Sequence, residues 1–341
     1  MQLFDVAFGR ELVAELPKMV NPPFLVVTNA DLWPRFEHHF AGADVRVHLV
    51  SSLEIDHLEE VLAGLPEIKA VIGIGGGVAI DIAKYVAWRR NLPLFQVPTS
   101  MSVNAPFAHR AAVRDNGILK YVGFHVPEMV YVDYDVVQSA PAYINRSGAG
   151  DIVCYYTGHW DYAYAERLGK VEPKWPYDEY WVGEAKTVLQ SVLDATEDIR
   201  EVNDRGVHTL MSALRWGGAA FNNTGWNPRP IEGSEHTFFY SLEHLTHRPF
   251  LHGQIVGLGV LLMSHLQGND PEFIKGKLDA MGVAYQPGDM DITWDDVRAG
   301  LRHMRDYWRE SGNLWYTVAT DTEITDAWLD EVQAWLTQPV A

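Results

Sequence analysis

The stretch Val71-Ile72-Gly73-Ile74-Gly75-Gly76-Gly77 decides the fold. A short apolar run, Ala70–Ile74, reads as a buried strand that closes on three consecutive glycines, and helical periodicity resumes over Ile80–Arg89. Glycines at a strand-to-helix turn let backbone N–H groups approach an anion closely, and the helix N-terminus adds the positive end of its dipole. A structural turn would usually need one glycine. Three at the end of a buried strand therefore favour contact with a phosphate, although the spacing is not the G-x-G-x-x-G fingerprint of dinucleotide-binding turns.

Working outward, the same alternation repeats on both sides. Upstream, Pro23–Thr28 and Val45–Val50 read as strands, with helices predicted over Leu32–Phe40 and Ser52–Leu65. Downstream, Pro93–Val97 is a fourth strand that ends in Pro98-Thr99-Ser100, and Met129–Asp133 is one more. Asn116-Gly117 between AAVRD and ILKYVGF predicts a hairpin. Continuous apolar strands separated by helices indicate a parallel sheet covered on both faces. Beyond Ser139 strand signals nearly vanish. Helical patterns follow over Ala140–Gly150, Tyr177–Val202, Gly206–Asn222, Glu235–His247, Gly253–Leu266, Trp294–Glu310 and Ile324–Thr337. The fold class is thus α/β: a Rossmann-like parallel-sheet domain over residues 1–139, then an all-helical domain over residues 140–341.

Composition narrows the function. Lys and Arg number 27 against 45 Asp and Glu, a formal charge of −18, with no basic run. Such a surface repels nucleic acid and anionic membranes. Cys154 is the only cysteine, which excludes an intrachain disulfide and a multi-cysteine zinc site. The first twenty residues lack the basic and apolar regions of a secretory signal, and no uncharged apolar run approaches about 18 residues. A cytoplasmic protein acting on a small molecule is expected, as a homo-oligomer of two or more copies.

The second informative stretch is Ile231–Gly259, IEGSEHTFFYSLEHLTHRPFLHGQIVGLG, which holds His236, His244, His247 and His252 with Glu232, Glu235 and Glu243 among them. His236, Tyr240, Glu243 or His244, and His247 follow helical spacing; Pro249 breaks it, and a fresh apolar helix starts near His252. Two imidazoles from adjoining helices, with a carboxylate from elsewhere, would make a three-ligand metal site. An amphipathic surface helix rich in histidine would give the same pattern, and this stretch alone does not separate the two.

The order of motifs adds a family resemblance. GGG-x-x-x-D-x-x-K (Gly75–Lys84), PT-x-x-S (Pro98–Ser102), Gly150-Asp151, GSEH (Gly233–His236) and LHG-x-x-VG-x-G (Leu251–Gly259) resemble the iron-containing alcohol dehydrogenase and dehydroquinate synthase-like superfamily. Within it, Gly150–Val153 leading to Thr157 and Asp161, and Arg229-Pro230 before the GSEH segment, look most like the sn-glycerol-1-phosphate dehydrogenases. The resemblance covers about residues 20–265.

It implies that Asp151, His236 and His252 ligate one divalent metal, Zn or Fe, and form the catalytic centre. It further implies that Gly75, Gly76, Gly77, Val78 and Ala79, with Asp81, bind NAD or NADP, assisted by Thr99 and Ser102. The implied reaction is metal-dependent hydride transfer between the cofactor and a small polyol or hydroxy-phosphate. A sugar-phosphate cyclase of the dehydroquinate synthase type, using NAD transiently, is the alternative. Asn104-Ala105-Pro106-Phe107 replaces the segment that marks that class.

The resemblance also implies substrate contacts at Asn104, Asp151 and Tyr240. Asn104 stands where the family has Asp, and Tyr240 where the glycerol-1-phosphate enzymes have a second His, so a different substrate is expected. Asn29 occupies the position that often discriminates NAD from NADP, with Asp31 two residues on. Ala108 replaces a family Ser near the nicotinamide. His109, His125 and His159 read as exposed or core histidines, with His109 the most placed to border the cofactor crevice. Arg110 or Arg229 could bind an anionic substrate group, but each reads first as a surface ion-pairing residue, and Cys154 as packed beside the metal without ligating it.

Overall fold

The computed structural model describes residues 4–223, 226–312 and 314–337. Packing divides the chain into two units, Met1–Asn145 with Glu201–Gly225, and Arg146–Arg200 with Trp226–Ala341.

The first unit is built on a six-stranded sheet, every neighbouring pair parallel. Its strands are β1 (Asp5–Gly9), β2 (Phe24–Thr28), β3 (Val45–Leu49), β4 (Ala70–Gly75), β5 (Leu94–Pro98) and, after the hairpin β6 (Ala111–Asp115) and β7 (Ile118–Val122), β8 (Met129–Asp133). The order is β1-β8-β5-β4-β2-β3. β2 and β4 are buried along their whole length, which is why they read as unbroken apolar runs. Helix α1 (Ile55–Gly64) and helix α2 (Gly77–Arg90) follow β3 and β4. The chain moves from β2 out to β3, and from β4 out to β5 on the other side, so the order reverses between β2 and β4. In open sheets of this kind ligands bind beyond the strand C-termini at such a reversal.

Several details depart from the sequence reading. β1 was not expected: DVAFG is partly exposed, has only β8 beside it, and lacks an apolar run. The helix predicted over Leu32–Phe40 is two short pieces, Trp33–Phe36 and a 3-10 turn at Glu37–Phe40. The division between units also lies beyond the 139/140 boundary. Asn145 accepts from Met101 N at 3.0 Å and donates to Val137 O at 2.8 Å, which ties it to the sheet unit. The helix Asp204–Asn223 returns to the same unit, where Gln138 donates to Val202 O at 3.0 Å and Arg10 bonds Asp204 at 2.7 Å.

The second unit has no strand among its described residues. Its site-bearing helices are α3 (Gly150–Val153), α4 (Tyr155–Arg167), α5 (Ser234–Thr246), α6 (His252–Gln267) and α7 (Trp294–Ser311). α5 packs against α6 and α7, and α6 is buried from Gly253 to Ser264. α4 was not expected. Its sequence YYTGHWDYAYAER mixes polar and aromatic residues, and the buried polar ones make tertiary hydrogen bonds instead of marking an apolar stripe. No described helix is long and apolar enough to cross a membrane.

Candidate active site

In the first unit the glycine turn lies where the strand order reverses. Gly75 is the last residue of β4, and a Cβ there would lie 2.6 Å from Ala79 Cβ and 2.9 Å from Asn29 Oδ1. Only glycine lets α2 start this close to the strand, with the Asn29 side chain of the β2 turn against it. Gly76 and Gly77 are partly open and Val78 is exposed, so the first turn of α2 presents its N–H groups outward. Thr99 N donates to Gly75 O at 3.1 Å, and Ser100 Oγ and Ser102 Oγ are 3.2 Å apart, placing the Pro-Thr-Ser turn alongside. Asn104 opens the short 3-10 turn Ala105–Phe107.

Asp81, grouped on the sequence with the cofactor residues, lies instead beneath the turn. It is buried and pairs with Lys84 at 2.9 Å. Lys84 Nζ also donates to Ala105 O at 2.9 Å and Arg110 O at 3.0 Å, so all three of its protons are used. This clamp holds the Asn104–Arg110 loop against α2. His109 is buried and packed edge-on against Phe4 and Phe124, and burial, then the Lys84 charge, lowers its pKa to about 4.

In the second unit Asp151, His236 and His252 converge. Asp151 Oδ1 is 3.1 Å from His252 Nε2 and 3.9 Å from His236 Nε2, and the two imidazole centroids are 5.3 Å apart. Glycines permit the approach. A Cβ on Gly150 would sit 2.0 Å from Gly253 O, and one on Gly253 would sit 1.9 Å from Ser147 O. The residues that follow these two glycine contacts in α3 and precede them in α6 are Asp151 and His252, so the helix crossing itself brings the two side chains together.

His236 is oriented by its neighbour. Glu235 Oε1 lies 3.0 Å from His236 Nδ1 and accepts from Gly233 N at 2.6 Å, while its Oε2 accepts from Thr157 Oγ1 at 2.7 Å. With Nδ1–H donated to Glu235, Nε2 is the ring atom that faces the Asp151 carboxylate. A carboxylate and an imidazole nitrogen so placed share either a proton or a metal cation. Tetrahedral coordination at ordinary zinc–ligand lengths separates adjacent donor atoms by about 3.3 Å, which falls between the two distances to Asp151 Oδ1. Burial alone would lower the His236 pKa, but Glu232, Glu235 and Asp151 outweigh it and push it up to about 9. The surroundings therefore favour positive charge at this point, and the oxygen and two nitrogens fit a divalent ion. Among described residues one group meets the spacing of a metal cluster, Asp151, Cys154 and His236. Cys154 contributes packing: its Sγ lies 3.1 Å from both Asp151 O and Ile231 O, and burial holds the thiol well above its usual pKa, so the proton stays on.

Asp161 supports the start of α5. Its carboxylate accepts from Ser234 N at 2.8 Å, Ser234 Oγ at 2.6 Å and Val318 N at 2.8 Å. Burial raises its pKa to about 6, so at neutral pH it is the anion those donors require. Arg229 corrects the surface reading: it is fully buried, bonded to Tyr316 O at 2.6 Å and Asp161 O at 3.4 Å, and faces Glu172 at 3.8 Å. His159 is a core residue, lowered to about 3 by burial, and His125 bonds Leu92 O at 2.8 Å. His244 lies 4.0 Å from Glu310, and His247 is the left-handed C-cap of α5, so neither joins the cluster. Sequence reading gave no role to Glu235 or Glu232. Neighbouring helical residues point to different faces, so helical phase conceals a bond from Glu235 to the next residue.

Residues 27–141 match the family model described as iron-containing alcohol dehydrogenase. The glycerol-1-phosphate dehydrogenase [NAD(P)+] of Thermofilum pendens is 32% identical over 288 residues, which cover 82% of this chain and 81% of that protein. The chain belongs to the iron-containing alcohol dehydrogenase superfamily. Its fold agrees: the crystal structure of a probable glycerol dehydrogenase from Sinorhizobium meliloti has a TM-score of 0.72 at 21% identity, covering 97% of this chain and 96% of that one. A 2-epi-5-epi-valiolone synthase from Streptomyces hygroscopicus, solved with NAD+ and Zn2+ bound, has a TM-score of 0.63 at 17% identity, covering 98% and 96%. This member of the superfamily is an oxidoreductase, and the glycine turn and the Asp-His-His cluster are its two chemically distinctive sites.

Proposed function

We propose that this dehydrogenase transfers a hydride between NAD(P) and a small polyol or hydroxy-phosphate, interconverting the alcohol and its carbonyl compound. The observation that carries the reading is the convergence of buried Asp151 and His236 with the partly exposed His252, with His236 held by Glu235. When bound, a divalent ion such as Zn2+ or Fe2+ supplies Lewis acidity at this point, and the nicotinamide supplies or accepts the hydride.

The protein's own groups bind and orient. Glu235 fixes the tautomer and ring plane of His236, as outer carboxylates do for metal-binding histidines. Phe239, edge-on to His252 at 4.8 Å, excludes water from one side of the imidazole. The N–H groups of Gly76 to Ala79, with the α2 dipole, bind the cofactor pyrophosphate, and Thr99 and Ser102 add hydroxyl contacts. Asn104, Asp151 and Tyr240 contact the substrate. In the oxidative direction the carbinol hydrogen leaves with its electron pair for the nicotinamide, and the hydroxyl proton is released to solvent.

The test is purified protein with Zn2+ or Fe2+, NADH or NADPH, and a panel of aldehydes, hydroxyketones and their phosphates. Net cofactor oxidation is expected, and His252→Ala removes it together with the bound metal. Full activity and unchanged metal content in that variant would sink the assignment. Carbocycle formation without net cofactor turnover would favour the cyclase reading.

A further inference from the structure

We propose that His244, His303 and Glu310 form a second divalent transition-metal site, separate from the Asp-His-His cluster, that ties α5 to α7. The proposal does not depend on the dehydrogenase reading above. His244 lies in the last turn of α5, and His303 and Glu310 lie about two turns apart on α7, the helix packed against it. The two imidazole centroids are 5.8 Å apart with ring planes at 9°, and His244 Nε2 is 4.0 Å from Glu310 Oε2. The imidazole centroids of the first cluster are 5.3 Å apart, so the two pairs are spaced alike. His236 and His244 are separated by about 12 Å of helix, too far to share one ion.

Hydrogen bonding leaves the nitrogens of this pair open to an ion. Ser241 Oγ has one proton, which it gives to Gly300 O at 2.8 Å, so at 3.1 Å it accepts from His303 Nδ1. That bond fixes the tautomer of neutral His303 and leaves its Nε2 lone pair as the donor atom, as Glu235 does for His236. In His244 neither nitrogen is hydrogen-bonded. Its Nδ1 is buried without a partner, and its Nε2 stands beyond hydrogen-bond range of Glu310. A cation between Nε2 and the carboxylate would use both.

No guanidinium of α7 competes for Glu310. Arg298 pairs with Asp330, Arg302 with Asp326 and Arg309 with Asp306, and Arg305 donates to Asp321 O. The side chains stand wider than bonded ligands do, and the packing of α5 on α7 sets the imidazole pair. Glu310 is exposed and closes on an ion by rotation about its own side chain. His247, also exposed and with its ring 6.1 Å from that of His244, is the nearest further donor. Two neutral imidazoles and a carboxylate suit Zn2+ and its first-row neighbours, and the set is too poor in oxygen for Ca2+ or Mg2+.

The experiment measures Zn2+ stoichiometry of the full chain by equilibrium dialysis, and Zn2+ affinity by competition with a chromophoric chelator. Wild type is expected to hold two ions. His303→Ala should hold one, and Glu310→Gln, which keeps shape and removes charge, should weaken the second ion at least tenfold. His252→Ala loses the first site and should hold one, and the His252→Ala/His303→Ala double variant none. Zn2+ should raise the thermal midpoint of His252→Ala and leave that of the double variant unmoved, because an ion that bridges α5 and α7 binds the folded chain alone. Wild type holding a single ion that His252→Ala removes would overturn this inference and leave the Asp-His-His site standing. A second ion bound with unchanged affinity in both His303→Ala and Glu310→Gln, each with native circular dichroism, would also overturn it.

Discussion

Gly150→Ala tests how the metal cluster is assembled. An added Cβ would lie 2.0 Å from Gly253 O, whereas real Cβ contacts essentially never fall under 3.0 Å, so α3 and α6 must part by at least 3.0 − 2.0 = 1.0 Å. The obstacle is backbone, so a rotamer change gives no relief. Overpacking of this kind costs about 1–3 kcal/mol, and more where rigid elements meet. Asp151 and His252 flank the contact, and their 3.1 Å separation would open by a similar distance. Metal sites tolerate ligand shifts of about 0.2 Å, so affinity should fall at least about tenfold, or about 1.4 kcal/mol. Urea unfolding of the chelated protein reads the packing cost, and competition with a chromophoric chelator reads the metal affinity. Gly183→Ala is the control: that exposed helix residue has nothing within 4 Å of its added Cβ. There the change should stabilise by about 0.5–1 kcal/mol. Gly150→Ala with unfolding unchanged to within about 0.5 kcal/mol and undiminished metal affinity would refute the reasoning.

Other outcomes follow from the same geometry. Lys84→Met leaves the Asp81 carboxylate buried without its cation and should cost about 3–5 kcal/mol in urea unfolding, with Asp81→Leu in the same chain recovering much of the loss. Glu235→Gln removes the anionic partner of His236 Nδ1 and should weaken metal binding about 10–100-fold in the same chelator competition. His159 and His109 are held neutral, with pKa values of about 3 and about 4, so the unfolded chain binds more protons than the folded one below about pH 6.5. Their contribution is complete above that pH and is lost as pH falls toward 4; Asp161, raised to about 6, acts in the opposite sense over part of the window. Unfolding midpoints of chelated protein should therefore drop between pH 6.5 and 4, and His159→Gln should flatten the slope; an unaltered slope would show that His159 is not neutral in the fold.

The parallel sheet was legible because β2, β4 and β5 are buried on both faces and so carry continuous apolar runs. β1 was not, since an edge strand with one neighbour needs no such run. The helix Asp204–Asn223 was recognised as a helix but its return to the sheet unit was not, because that depends on tertiary partners such as Arg10 and Gln138. The residues Asp151, His236 and His252 were legible through motif order, and the structure brings all three together. Asp81 was misplaced because its motif position does not reveal that Lys84 lies buried beside it. Glu232 and Glu235 were visible as glutamates among histidines, yet what distinguishes them is burial, which local spacing encodes neither in the turn before α5 nor in its first residues.

The metal cluster illustrates a wider consequence of that burial. Ionised carboxyl groups removed from water destabilise a fold unless opposite charge accompanies them. Around His236 the compensating groups are two imidazoles and backbone donors, and the rise of His236 to about 9 marks the shortfall in positive charge. A divalent ion removes the shortfall, which makes the cluster a folding element as well as a reactive one. The same logic separates the two acid groups nearest the ion. Asp151 is fixed by the α3–α6 crossing and cannot move without parting the helices. Glu232 lies outside any helix, in the turn ahead of α5, and is held by burial and by the charges of the cluster instead of by a helix crossing.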